Sequence, residues 1–196
     1  MSRQGRQGRQ GLRGLRAGSV TLLLSACAAS VLAGLPQACR PQAEAARWLQ
    51  QARESFDPAA PRTAEALWDA AMAHAAAPGV PSCRAVETAW QIGDFLKIHV
   101  RTSSELALDY LNRGMAAHRP AATTEDLPLI KLLKTSAHFF ARRGDRERAC
   151  RSLDGALRVL ERLPAAEVET LRAQITTERV QGRCSPSAGS EPDQNR

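Results

Sequence analysis

A chain of 196 residues with 43% apolar and 24% charged side chains suits one soluble globular domain with material left over at its ends, rather than a disordered or membrane-embedded protein. The net charge of +7 raises nucleic-acid binding, but its distribution argues against it. Arg3, Arg6, Arg9, Arg13 and Arg16 supply +5 within residues 1–38, which hold no acidic residue, and the remainder carries 22 basic against 20 acidic side chains.

Ala, Leu, Arg, Glu and Gln dominate, while Val and Ile are sparse and there is one Tyr, so the composition predicts an all-α chain.

Residues 1–38 read as an address. MSRQGRQGRQGLRGLR is a basic Gly/Gln-rich lead, and AGSVTLLLSACAASVLAGLPQAC follows it as an apolar stretch diluted by small residues. A charged lead, a short apolar core and small residues near a cleavage point make a secretory signal. Membrane spans need about 20 strongly apolar residues, which makes an uncleaved anchor the weaker alternative. Two processing routes stay open. Leu24-Ser25-Ala26-Cys27 resembles the bacterial lipobox, which makes Cys27 a lipidation candidate, whereas Val31-Leu32-Ala33 suits ordinary signal peptidase. Export places the protein in the periplasm or attaches it to a membrane as a lipoprotein. A cytoplasmic protein with a misassigned start is the alternative. Five cysteines, Cys27, Cys39, Cys83, Cys150 and Cys184, leave an even four after either route, as an oxidising compartment favours. None forms a C-x-x-C pair, so zinc and thioredoxin-like chemistry have no support.

Helices are predicted over about 42–55, 83–100, 126–142 and 165–182, with a second amphipathic segment after each of the first three. Expected joints are Asp57-Pro58 with Pro61, Thr102-Ser103-Ser104, and Gly144-Asp145. The last helix carries a stripe of Val168, Leu171, Ile175 and Val180. Residues 185–196, SPSAGSEPDQNR, form a polar, Pro-containing tail with the composition of disorder.

The second segments repeat. Ala64-x-x-x-Trp68-x-x-Ala71-Met72, Ala107-x-x-x-Leu111-x-x-Gly114-Met115 and Ala149-x-x-x-Leu153-x-x-Ala156-Leu157 align without gaps at intervals of 43 and 42. Small residues at the first and third places let helices approach, and the large residue between them fills the groove.

Phe140-x-x-x-Gly144-Asp145-x-x-x-Ala149-x-x-x-Leu153-x-x-Ala156-Leu157, with Ala137 at a small-residue position, resembles the tetratricopeptide repeat (TPR). The resemblance spans about 42–182 at a period longer than the usual 34, and its motif is specific over 133–157. It implies a right-handed α-solenoid of about three hairpins plus a capping helix over residues 39–184, with a plain helical bundle as the alternative. In such an array Cys39 and Cys83 both open first helices that run side by side, while Cys150 and Cys184 lie at adjoining ends of antiparallel helices. The array reading therefore selects Cys39–Cys83 and Cys150–Cys184 from three pairings.

The resemblance also implies a groove lined by first helices. On 126–142 the buried face is Ile130, Leu133, Ala137 and Phe140, and the stripe beside it is Lys131, Lys134, His138 and Arg142. These four are the partner-binding candidates, suited to an acidic or carboxylate-terminated peptide, and a solvated helix face is the plain alternative. His74, His99, His118 and His138 make no i, i+4 pair, so no metal is expected, and His74 and His118 suit helix C-termini. Trp48, Trp68 and Trp90 read as core. No nucleophile motif, phosphate loop or carboxylate pair stands out, so no cofactor and no catalysis are expected. The expected function is a non-catalytic scaffold of the cell envelope that binds a protein or peptide. A helical enzyme or enzyme subunit and a purely structural lipoprotein are the competing readings.

Overall fold

The computed structural model describes residues 36–184 apart from residue 122. The address segment up to residue 35, Cys27 and the tail 185–196 lie outside the described residues. The described residues are all-α: α1 (Ala43–Glu54), α2 (Glu65–Ala75), α3 (Ser82–Leu96), α4 (Val100–Ala117), α5 (Leu127–Arg142), α6 (Arg146–Leu160) and α7 (Ala165–Gln181). The pairs α1/α2, α3/α4 and α5/α6 pack as hairpins. Each second helix also packs on the helix that follows it, α2 on α3, α4 on α5 and α6 on α7, and α3 lies against α5.

Local chemistry sets the clearest joint. Gly144 adopts φ +78°, a left-handed conformation that costs glycine little, and it ends α5. Asp145 then caps α6, its Oδ1 accepting a hydrogen bond from the Arg148 backbone N–H at 3.0 Å. One joint falls elsewhere than expected. Thr102-Ser103-Ser104 are helical, and the break comes earlier, at a 3-10 turn over Lys97–His99. No Gly or Pro occurs between 94 and 104 to mark it. Instead, Ser103 Oγ donates to the His99 carbonyl at 2.7 Å and lies 3.4 Å from the Leu96 carbonyl, serving the acceptors freed where α3 ends.

The repeated positions share one environment. Ala64, Ala107 and Ala149 are buried, as are Trp68, Leu111 and Leu153 four residues on, and Ala71 and Ala156. Gly114 replaces Ala in the second copy because three helices meet there. A methyl group at Gly114 would run into Ala89 Cβ on α3 and stand 2.7 Å from Leu132 Cδ1 on α5.

Two apolar clusters result. One gathers around Trp68, whose ring meets Phe56 and Tyr110 at 5.8 Å and Phe95 at 6.2 Å between centroids. The second joins Ile130 and Ala137 of α5 to Leu153, Val159 and Leu160 of α6 and to Val168 and Ile175 of α7. Helix α5 serves both, because Leu132 and Phe139 turn toward the first while Ile130 and Ala137 turn toward the second.

Helix α7 follows its predicted stripe through Val168, Leu171 and Ile175 and then departs from it. Val180 is 70% exposed. The next inward position after Ile175 is Arg179, four residues on, and its Nε meets Asp154 Oδ1 at 2.6 Å. The disulfides are Cys39–Cys83 and Cys150–Cys184, with Cα separations of 5.0 and 5.5 Å. Two such bonds point to an oxidising environment. Among the described residues, no helix is long and apolar enough to cross a membrane.

Candidate functional site

All three lysines of the chain stand on or directly after α3 and α5. Lys97 follows the end of α3, while Lys131 and Lys134 stand on α5. The spacing on α5 brings Lys131, Lys134, His138 and Arg142 onto one stripe, since residues three and four apart share a helix face. The neighbouring helices decide what that stripe meets.

Lys134 Nζ lies 2.9 Å from Glu178 Oε1 of α7 and 3.5 Å from Gln174 Oε1. Lys97 Nζ lies 2.7 Å from Asp94 Oδ1. Lys131 is half-buried with Nζ 4.5 Å above the centre of the Trp90 ring, a cation–π contact with α3. Burial pulls the Lys131 ammonium below its ordinary range, against the charges of Glu87 and Asp94. His138 is exposed at its edge, and partial desolvation together with Lys97 and Arg142 holds its imidazole below the usual value. Arg142 is exposed and has no carboxylate partner among the described residues.

Glu87 is the residue that sequence reasoning passed over. It lies within α3, fully buried, and its Oε1 accepts a hydrogen bond from Gln91 Nε2 at 3.0 Å. Burial pushes its carboxyl up to about 7, against that hydrogen bond and the positive charge of Lys131. The available signal was a carboxylate set directly between Val86 and Thr88 in the mostly apolar run AVETAWQI.

The other candidates are structural. His74 approaches Glu44 Oε2 at 3.5 Å and packs edge-on to Trp48, so it ties α2 to α1. His118 Nε2 lies 2.8 Å from the buried carboxylate of Asp126, bridging the end of α4 to the turn before α5. His99 stacks near Phe56 and Phe95. Trp68 is core, and Trp48 and Trp90 are partly buried against it. A polar cluster links the second helices of the first two hairpins: Tyr110 Oη donates to Asp69 Oδ1 at 2.9 Å, and Arg113 Nη1 lies 2.6 Å from the same oxygen. Among the described residues, no group of three His, Cys, Asp or Glu side chains could hold a metal ion.

No protein-family model, curated protein or solved structure matches the chain.

Proposed function

We propose that the chain is a non-catalytic, TPR-like interaction scaffold of the cell envelope, which holds a peptide or helix of a partner protein against the face built by its first helices, α1, α3 and α5. The observation that carries this reading is the concentration of polar and charged side chains on α3 and α5. Lys97, Lys131, Lys134, His138 and Arg142 stand beside Glu87, Asp94 and Glu178, while the same helices bury their other sides in the two cores. A face of this kind takes up an extended or helical segment and selects it by charge and hydrogen bonding. Arg142 is the stripe residue left over for an acidic side chain of the partner. The TPR-like reading is further supported by the hairpin at Gly144-Asp145 and by the shared burial of the three repeated segments.

The two disulfides support export, with the periplasm or a lipidated Cys27 as the place of residence. Intact mass of the mature protein, with its N-terminus mapped, tests that part. A photo-crosslinking residue at position 138, compared with one at Glu147 on the exposed side of α6, tests the binding face in the producing cell. A discrete crosslinked partner from position 138 and none from 147 is expected. Equal or absent crosslinking from position 138 removes the assignment of this face.

A further inference from the structure

The face between α3 and α5 contains two buried polar atoms without a hydrogen-bond partner, on side chains of opposite charge. Glu87 Oε1 is bonded to Gln91, but Glu87 Oε2 has no donor. Lys131 Nζ rests on the Trp90 ring and donates to no acceptor. The neighbours cannot supply what is missing, because Asp94 is engaged by Lys97 and Lys134 by Glu178. Glu87 and Lys131 sense each other's charge, yet no ion pair joins them.

Buried donors and acceptors are normally matched, and charged ones left unmatched are the most costly. The two unmet requirements are one donor for Oε2 and one acceptor for Nζ. A carboxylate would satisfy Nζ but place a negative charge against ionised Glu87. A guanidinium or ammonium group would satisfy Oε2 but repel Lys131. An amide satisfies both, since it carries an N–H donor and a C=O acceptor side by side and has no net charge.

We infer that Glu87 and Lys131, walled by Trp90, form a seat for an uncharged amide group, supplied by the backbone or an Asn/Gln side chain of a bound peptide. This rests on the assignment of the α3–α5 face as the partner-binding surface and narrows the chemistry of what it binds. Lys131 is the movable member. Its stem is long and flexible and its side chain only half-buried, so it swings off Trp90 to admit the group. Glu87 stays in place, held by Gln91 within a helix packed on α2, α4 and α5. His138 and Arg142 lie about two and about three turns further along α5, where they read the residues flanking the anchored amide.

Three isosteric probes test the seat: acetamide, acetate and acetamidinium, alike in shape and different in charge. Each is titrated at matched ionic strength into the intact, disulfide-bonded protein at about pH 8.5, where Glu87 is ionised. The readout is the Trp90 indole N–H resonance, identified by its loss in Trp90→Phe. Acetamide is expected to shift that signal saturably and at the lowest concentration of the three. Lys131→Met is expected to weaken acetamide about tenfold or more through loss of the charged donor.

A second measurement needs no variant. At about pH 5.5 Glu87 is protonated, the seat presents two donors, and the preference swings toward acetate. The groups facing Glu87 are Gln91 and Asp94 from α3 and Lys131 from α5. Stronger binding of acetate or acetamidinium at the higher pH overturns the inference, as does the absence of saturation by any probe or a ranking that ignores pH. If the probes fail while position 138 still crosslinks a partner, the seat falls and the scaffold stands. If acetamide binds and no partner crosslinks, the scaffold falls and a small-amide site remains.

Discussion

Lys134 Nζ and Glu178 Oε1 lie 2.9 Å apart, joining the first helix of the last hairpin to the helix that follows it, across 44 positions of sequence. The pair is partly open to solvent, which limits its strength. A double-mutant cycle with Lys134→Ala and Glu178→Ala, read by urea unfolding, should give a coupling of about 0.2–1 kcal/mol that shrinks at high salt. A coupling well above that range would mean that Lys134 is held for α7 and not for a ligand.

Two glycines separate backbone tolerance from packing. Gly114 sits where α3, α4 and α5 converge, and a methyl group there collides with Ala89 and Leu132. Gly114→Ala should cost about 1–3 kcal/mol by overpacking, despite the better helix propensity of Ala. Gly155, inside α6, has only ordinary contacts around its methyl direction, the nearest being Leu133 Cδ1 at 3.6 Å. Gly155→Ala should stabilise by up to about 1 kcal/mol. Thermal melts of the two variants should therefore move in opposite directions, and a shared direction would contradict the convergence at Gly114.

Glu87 makes stability depend on pH. Its folded-state carboxyl is raised from 4.5 to about 7, so between those values the folded protein binds more protons than the unfolded chain. Stability should fall as pH rises through that window, by about 3 kcal/mol from this group alone, and level off above it. Urea midpoints of Glu87→Gln should lack most of that slope and exceed wild type near pH 8. Parallel profiles for the two proteins would show that Glu87 is not held in a desolvated site.

The disulfides staple the terminal elements to interior ones. Cys150–Cys184 spans 34 positions and ties the end of α7 to the start of α6, and Cys39–Cys83 spans 44 and ties the turn Gln37–Cys39 to α3. Loss of either should cost about 2–4 kcal/mol. The two losses should be distinguishable by amide exchange. Cys184→Ser should raise exchange across Ala165–Gln181, where Val168, Ile175 and the Arg179–Asp154 pair remain as tertiary anchors, and leave α3 protected. Uniform loss of protection along the chain would mean that α7 does not open separately.

Much of the fold was legible because helices report themselves locally. Apolar spacing placed α1, α5 and α7 within a residue or two of their observed ends, and Gly144-Asp145 marked its joint through backbone freedom and capping. The repeated Ala and large-residue positions announced their burial, since the same close approach was solved three times. The turn at Lys97–His99 was not legible, because it carries no breaker and depends on Ser103 reaching back to the carbonyls of His99 and Leu96. Val180 was misread as inward for a related reason: an apolar side chain signals a preference for burial, but the register of α7 on α6 gave that place to Arg179.

The stripe on α5 shows where sequence stops. Helical spacing by itself determined that Lys131, Lys134, His138 and Arg142 share a face, because that relation involves only neighbouring turns of one helix. Tertiary structure alone decided that Glu178 would meet Lys134, that Trp90 would lie beneath Lys131, and that Glu87 would be buried beside it with an oxygen unmatched. Those relations depend on the packing of α5 against α3 and α7, which no local pattern encodes. The same packing lowers the dielectric around Glu87 and turns an ordinary carboxylate into a group that titrates near neutrality.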